Sequence, residues 1–133
     1  MGGSSGVLLS IFFTATGESL RSGARLPSAL VAGLEKLKFY GGAAVGDRTM
    51  IDALEPALVA LASGGLAAAE QAAREGSKAT AEMKTAAAGR SAYVNAAVLN
   101  AVPDPGAIAV AEAFEAAADA SAGATARLQS VDE

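Results

Sequence analysis

The sequence contains no cysteine and no histidine. The first absence excludes disulfides and thiolate nucleophiles. The second excludes imidazole general bases, and together they exclude zinc sites of the usual kind. Any chemistry must therefore use Asp, Glu, Ser, Thr, Lys, Arg, Tyr or backbone groups. A chain without cysteine fits the reducing cytoplasm, and a cytoplasmic location is expected. Tryptophan is absent and aromatic residues make up only 5%. Positive charge is scarce too: 10 Lys and Arg stand against 14 Asp and Glu, a net charge of -4. That balance argues against nonspecific nucleic-acid binding, which needs a basic face, and no Lys/Arg run is present to hold an anionic lipid surface. The apolar stretch Val7 to Phe13 is too short to span a bilayer, and no positive charge precedes it as in a signal peptide. Myristoylation wants Ser or Thr where this chain has Gly6. No membrane association is expected.

What is abundant is alanine, within an apolar fraction of 52%. Alanine is the best helix former, and small side chains let helices approach closely. The 133 residues suit one domain. The expected fold is all-α, an antiparallel helical bundle or barrel. Five helices are read from the periodicity. The first runs from about Ser4 to Leu20, with Val7, Leu8, Ile11, Phe12 and Ala15 on one wide face. Leu9 and Phe13 broaden that face, so burial on most sides is expected. The second starts near Pro27, turns Leu30, Val31, Leu34 and Leu37 inward, and ends at Gly41-Gly42. The third starts at "GDRTMIDAL" with Asp47 as N-cap candidate, is kinked by Pro56, and closes at Gly64-Gly65. The fourth covers about Leu66 to Ala87. A long connection over 88–106 follows, of a length that tends to be functional. The fifth has Asp104 as N-cap and Pro105 in its first turn, and reaches Ala122 or further.

Three of these helix starts carry Ser or Asp beside glycine: "GGSSG", "GDRTM" and "DPGA". Free amides and the helix dipole favour anions there, and glycine lets the backbone approach a phosphate. "GGSSG" offers amides and two hydroxyls without negative charge; as composition it reads equally as linker or plain capping. Asp47 and Asp52 read as a cap and a solvated face, or as metal ligands if the fold gathers them with Asp104. Met50 reads as core, or as an adaptable wall against a flat base. Arg90 in "GRSAY" is a surface arginine or a fork for phosphate oxygens. No cluster of closely spaced aspartates and no Walker-type lysine motif is present.

In order, "GGSSG", "GDRTM" with the following Asp52 to Ala57, "GRSAY" and "DPGA" resemble the ATP-binding L-type domain of dihydroxyacetone kinases, across nearly the whole of residues 1–133. That family folds as a barrel of eight antiparallel helices with nucleotide at one end. The resemblance implies a phosphotransferase role: the ATP γ-phosphoryl passes to a small hydroxyketone held by a separate K-type domain or subunit through a histidine. It implies ATP or ADP and Mg²⁺ as cofactors. It places Gly2, Gly3, Ser4 and Ser5 at the phosphates and Leu8, Thr49 and Met50 around adenine. Arg90 would reach the phosphates as the catalytic residue, and Asp104, Pro105 and Gly106 would close the rim.

The chain departs from the pattern in three places. The family's aspartate trio, in a "GDGDTG"-like turn, lies upstream of the serine motif, so the barrel's first two helices and the metal ligands are expected upstream of Met1. "GRSAY" replaces the commoner "GRASY". The stretch from Arg90 to Asp104 lacks the charged residues often seen there. Loss of two helices uncovers apolar faces, so a homo-oligomer or an associating fragment is expected. Two other roles remain open: an ADP-holding subunit rephosphorylated by a phosphotransferase-system protein, and a non-catalytic helical assembly module.

Overall fold

The first two helices form an antiparallel pair because glycine lets their backbones meet. Helix α1 spans Gly3–Arg21 and α2 spans Leu26–Gly41 in the computed structural model, which describes residues 3–83, 86 and 101–130. A Cβ on Gly33 of α2 would lie 2.7 Å from the Phe12 carbonyl and 2.2 Å from Thr16 Oγ1, so only glycine fits the crossing. The Thr16 hydroxyl is turned inward onto that carbonyl, donating at 2.8 Å. Nearer the other end, Leu8 rests on Gly41. Pro27 sits in the first turn of α2, and Gly42 ends the helix at φ 62, its N–H returning to the Lys38 carbonyl.

The expected deep burial of α1 is not what the structure shows. Phe12 and Thr16 are its buried residues, while Val7 and Phe13 are more than 60% exposed. Among the described residues its apolar face packs chiefly on α2, with Leu8, Leu9 and Phe12 reaching the shared core. Val31 of α2 is likewise exposed, off the inward stripe of Ala29, Gly33, Leu34 and Leu37.

Helix α3, Ile51–Ala79, is two helical arms. The backbone leaves helical geometry at Gly65 (φ 74, ψ −165) and not at Pro56, which corrects the expected proline kink. Pro56 lies early in the helix and costs one bond, the one the Asp52 carbonyl would have accepted. Gly65 turns the chain back on itself. The two arms then pack through Ala57, Ala69 and Ala73, all fully buried, and Gly76 comes down beside the Asp52 carbonyl. The expected third and fourth helices are thus present as a hairpin. The second arm ends at Ala79, short of the expected Ala87, and a 3₁₀ turn follows over Thr80–Glu82. Ile51–Glu82 is long and apolar enough to cross a membrane, at mean hydropathy 1.4. The reversal at Gly65 breaks it into arms too short to do so.

Helix α4, Pro105–Gln129, packs its first turns on the hairpin through Ala107, Val110, Ala111 and Phe114, and its residues 119–129 are all exposed. The main core gathers Phe12, Leu34, Leu37, Met50, Ile51, Leu54 and Leu58 between the α1–α2 pair and the first arm of α3. Lys38 ties α2 to that arm, donating to both Glu55 oxygens at 3.1 and 2.9 Å. The Glu55 carboxylate, through that hydrogen bond first, holds the Lys38 ammonium above its ordinary value.

Candidate functional site

The antiparallel order puts three helix starts at one end of the bundle. The start of α1 lies at the α2 C-terminus, because Leu8 packs on Gly41. Residues 42–50 lead from there into α3, and the second arm of α3 returns to the same end to hand over to α4. Free amides and positive dipole ends therefore collect there.

The turn before α3 is organised by Asp52. Its Oδ1 accepts from the Gly46 N–H at 2.5 Å and its Oδ2 from the Thr49 N–H at 2.7 Å. It is 3% exposed, so neither a solvated face nor a free metal ligand describes it. Asp47, the expected cap, does a different job: its Oδ2 accepts from Ala44 N–H at 2.8 Å and closes the preceding turn. Helix α3 starts only at Ile51, too far on for Asp47 to reach its first amides. The spacing Thr49-Met50-Ile51-Asp52 is a capping-box pattern, and that signal would have singled out Asp52 from sequence. The Thr49 hydroxyl accepts from Ile51 N–H at 3.2 Å, and Met50 is buried in the core.

The start of α4 is fixed as firmly. Asp104 Oδ2 accepts from Ala107 N–H at 3.0 Å, as the expected N-cap. The Asp104 N–H donates to Thr80 Oγ1 at 2.7 Å, and that hydroxyl donates to the Ser77 carbonyl at 2.6 Å. Thr80, which sequence reasoning missed, joins the end of the hairpin to α4. Gly106 is wedged between its neighbours: a Cβ would lie 3.0 Å from Asp104 Oδ2 and 3.2 Å from Met50 Cβ. Met50 and the Asp104–Gly106 segment, 54 residues apart from Met50 to Asp104, are therefore in direct contact. Pro105 is exposed beside them.

Of the remaining sequence-derived residues, Gly3, Ser4 and Ser5 are exposed in the first turn of α1, and Gly3 has φ 74. Leu8 is half-buried against the core. Gly2 and Arg90 lie outside the described residues, as does most of the connection over 88–106. What the described groups offer is backbone amides, hydroxyls and an apolar floor, which suits an anion attached to a flat apolar group. They do not fit a metal ion. Among the described residues no three carboxylates gather, and Asp52 and Asp104 are occupied by backbone amides.

Comparison with known proteins shows the family and the fold. Residues 1–119 match the DAK2 domain. The chain is 50% identical over 125 residues to a dihydroxyacetone kinase of Citrobacter freundii, covering 92% of this chain and 23% of that protein. It is 43% identical over 128 residues to triokinase/FMN cyclase of Rattus norvegicus, covering 87% of this chain and 22% of the relative. The crystal structure of the C. freundii dihydroxyacetone kinase in its native form superposes with a TM-score of 0.75 at 48% identity, over 90% of this chain and 21% of that one. A second structure of that kinase, in complex with AMP-PNP and Mg²⁺, gives 0.73 at 48% identity, over 90% of this chain and 20% of that one. The chain thus spans under a quarter of the length of these relatives.

Proposed function

The chain belongs to the DAK2 domain family, and from that membership we propose that it is the nucleotide-binding part of a dihydroxyacetone-type kinase. It holds ATP at the end where the starts of α1, α3 and α4 collect. There the bond between the γ-phosphorus and its bridging oxygen breaks. A hydroxyl oxygen of a small hydroxyketone takes the phosphorus and gives up its proton. The ketone is carried by a K-type domain or subunit, since this chain has no histidine to hold one as that family does. The supporting observation is the contact of Met50 with the Asp104–Gly106 segment, which brings two separate sequence motifs to one place.

Gly2 is assigned to the phosphates by its motif, and Gly3, Ser4 and Ser5 by their motif and by their place at the start of α1. Leu8, Thr49 and Met50 are assigned to the base. Arg90 is assigned from its motif to the charge that develops on the moving phosphoryl group. Mg²⁺ accompanies AMP-PNP in the C. freundii enzyme. No ligand for it is assigned among the described residues, and no step is routed through it. Calorimetric titration of the chain with ATP, ADP and AMP-PNP, each with Mg²⁺, tests the assignment. Saturable one-to-one binding is expected, and no heat at millimolar nucleotide refutes it.

A second reading has its own observation. Val7 and Phe13 of α1 and Phe39 and Tyr40 of α2 are all more than 60% exposed. Apolar surface of that kind associates. We propose that these faces make the chain a homo-oligomer, or the partner of further helices. Light scattering across concentration tests this, and a monomer throughout overturns it. An assembly that binds no nucleotide would favour the role of a helical module.

A further inference from the structure

Arg48 stands apart from every residue named so far. It is a cation of 1% exposure, its backbone is left-handed at φ 60, and its Nη2 donates at 2.5 Å to the Val102 carbonyl, 54 residues along the chain. Non-glycine residues rarely hold a positive φ unless the surroundings require it. Here the turn that orders Thr49 and Met50 needs it, and the side chain leaves the same turn to reach the segment before α4. Among the described residues two backbone N–H groups of that segment are anchored as well. The Ala101 N–H donates to the Ala81 carbonyl at 3.2 Å, and the Asp104 N–H to Thr80 Oγ1 at 2.7 Å. Both come from the end of the hairpin. Only Arg48, among these three anchors, comes from the Gly46–Met50 turn.

We propose that Arg48 is a positioning residue that couples the Gly46–Met50 turn to the start of α4, so that both halves of the nucleotide site hold one register although the guanidinium itself is walled off from any ligand. This rests on the nucleotide reading above. A guanidinium is suited to the task because it is always charged and its planar fork fixes direction as well as distance. A lysine keeps the charge and can still donate, but lacks the planar fork.

The test uses the full chain with Arg48→Lys and Arg48→Gln. Affinity for ADP with Mg²⁺ is measured by calorimetry, and amide hydrogen exchange is followed in the nucleotide-free protein. Wild type is expected to bind, R48Q to bind at least tenfold more weakly, and R48K to fall between them. In the free protein, R48Q is expected to speed exchange at residues 101–107 and 46–52 together, with α1 and α2 unchanged. A merely structural loss would instead speed exchange throughout. Equal affinity of R48Q and wild type overturns the proposal, and so does R48Q exchange unchanged at 101–107. Should R48Q fail to fold, nucleotide added to wild type decides: equal gains in protection at both segments support coupling, and a gain at one alone overturns it. Failure of wild type to bind refutes the nucleotide reading, while the exchange of the free R48Q protein still reports on the coupling.

Discussion

Gly76 sits where the second arm of α3 lies directly against the backbone of the first, and replacing it with alanine gives a sharp test of the hairpin. A Cβ there would lie 2.1 Å from the Asp52 carbonyl oxygen and 3.0 Å from Ala53 Cα. Carbon meets a carbonyl oxygen at about 3.3 Å or more, so the overlap is about 1.2 Å. The obstructing atoms are backbone and cannot rotate aside, so the arms must part. Overpacking of this kind costs about 1–3 kcal/mol, with rigid backbone neighbours placing it near the top of that range. Alanine in a helix returns up to about 1 kcal/mol relative to glycine. A net loss of about 1–2 kcal/mol is expected, which for a chain of this size lowers Tm by roughly 4–8 °C. Gly17 in α1 supplies the control, since a Cβ there meets nothing within 4 Å. Gly17→Ala should raise Tm by roughly 2–4 °C through helix propensity alone. Thermal melts followed by circular dichroism read both. If G76A melts at or above wild type, in step with G17A, the arms do not touch at Asp52 and the hairpin packing described above is wrong.

Asp104→Ala removes the α4 cap and leaves the Ala107 N–H unpaired, which should cost about 1–2 kcal/mol in denaturant unfolding, while Asp104→Asn should keep most of it. Asp52→Ala strands two amides, those of Gly46 and Thr49, and should cost about 2–3 kcal/mol and weaken nucleotide binding in the same titrations. A double-mutant cycle on Lys38→Met and Glu55→Gln should return about 0.2–1 kcal/mol, because the pair is partly exposed. The raised Lys38 pKa gives the sign of its pH dependence. The bond contributes fully below the ordinary lysine value of 10.5 and is lost as pH rises through the folded value above it. Melts of wild type and E55Q should therefore converge in strong alkali and stay apart at neutral pH.

Helix content and order were legible because alanine richness, glycine stops and Asp-Pro-Gly starts act locally. Gly42 at φ 62, Gly65 at φ 74 and the Asp104 cap all lie where the sequence put them. Which faces are covered was not legible, because an apolar stripe records what can be buried and not how many neighbours bury it. Val7, Phe13 and Val31 show that gap. Pro56 misled for a different reason: it removes a single bond, at the Asp52 carbonyl, and the helical geometry runs on through it to Gly65. The site was legible as motifs and not as roles. Asp47 and Asp52 lie five residues apart, and only the fold shows that Asp52 turns back on Gly46 and Thr49 while Asp47 closes the turn before.

That division of labour bears on where a proton can go. The carboxylates at the collected helix starts, Asp47, Asp52 and Asp104, are already acceptors for backbone amides, and the chain holds no imidazole. Amides and hydroxyls at helix starts steady a phosphate without exchanging protons with it. A largely dissociative phosphoryl transfer asks for just that, since charge spreads over the equatorial oxygens and bond-making to the acceptor lags behind. In the proposed reaction the acceptor hydroxyl must still lose its proton. The group that takes it is then better sought on the partner that carries the hydroxyketone than among the described residues of this chain. Substitutions at Thr49, Met50 or Asp104 should accordingly change nucleotide affinity and leave the pH profile of turnover by the reconstituted pair where it is; a shifted profile would return the base to this chain.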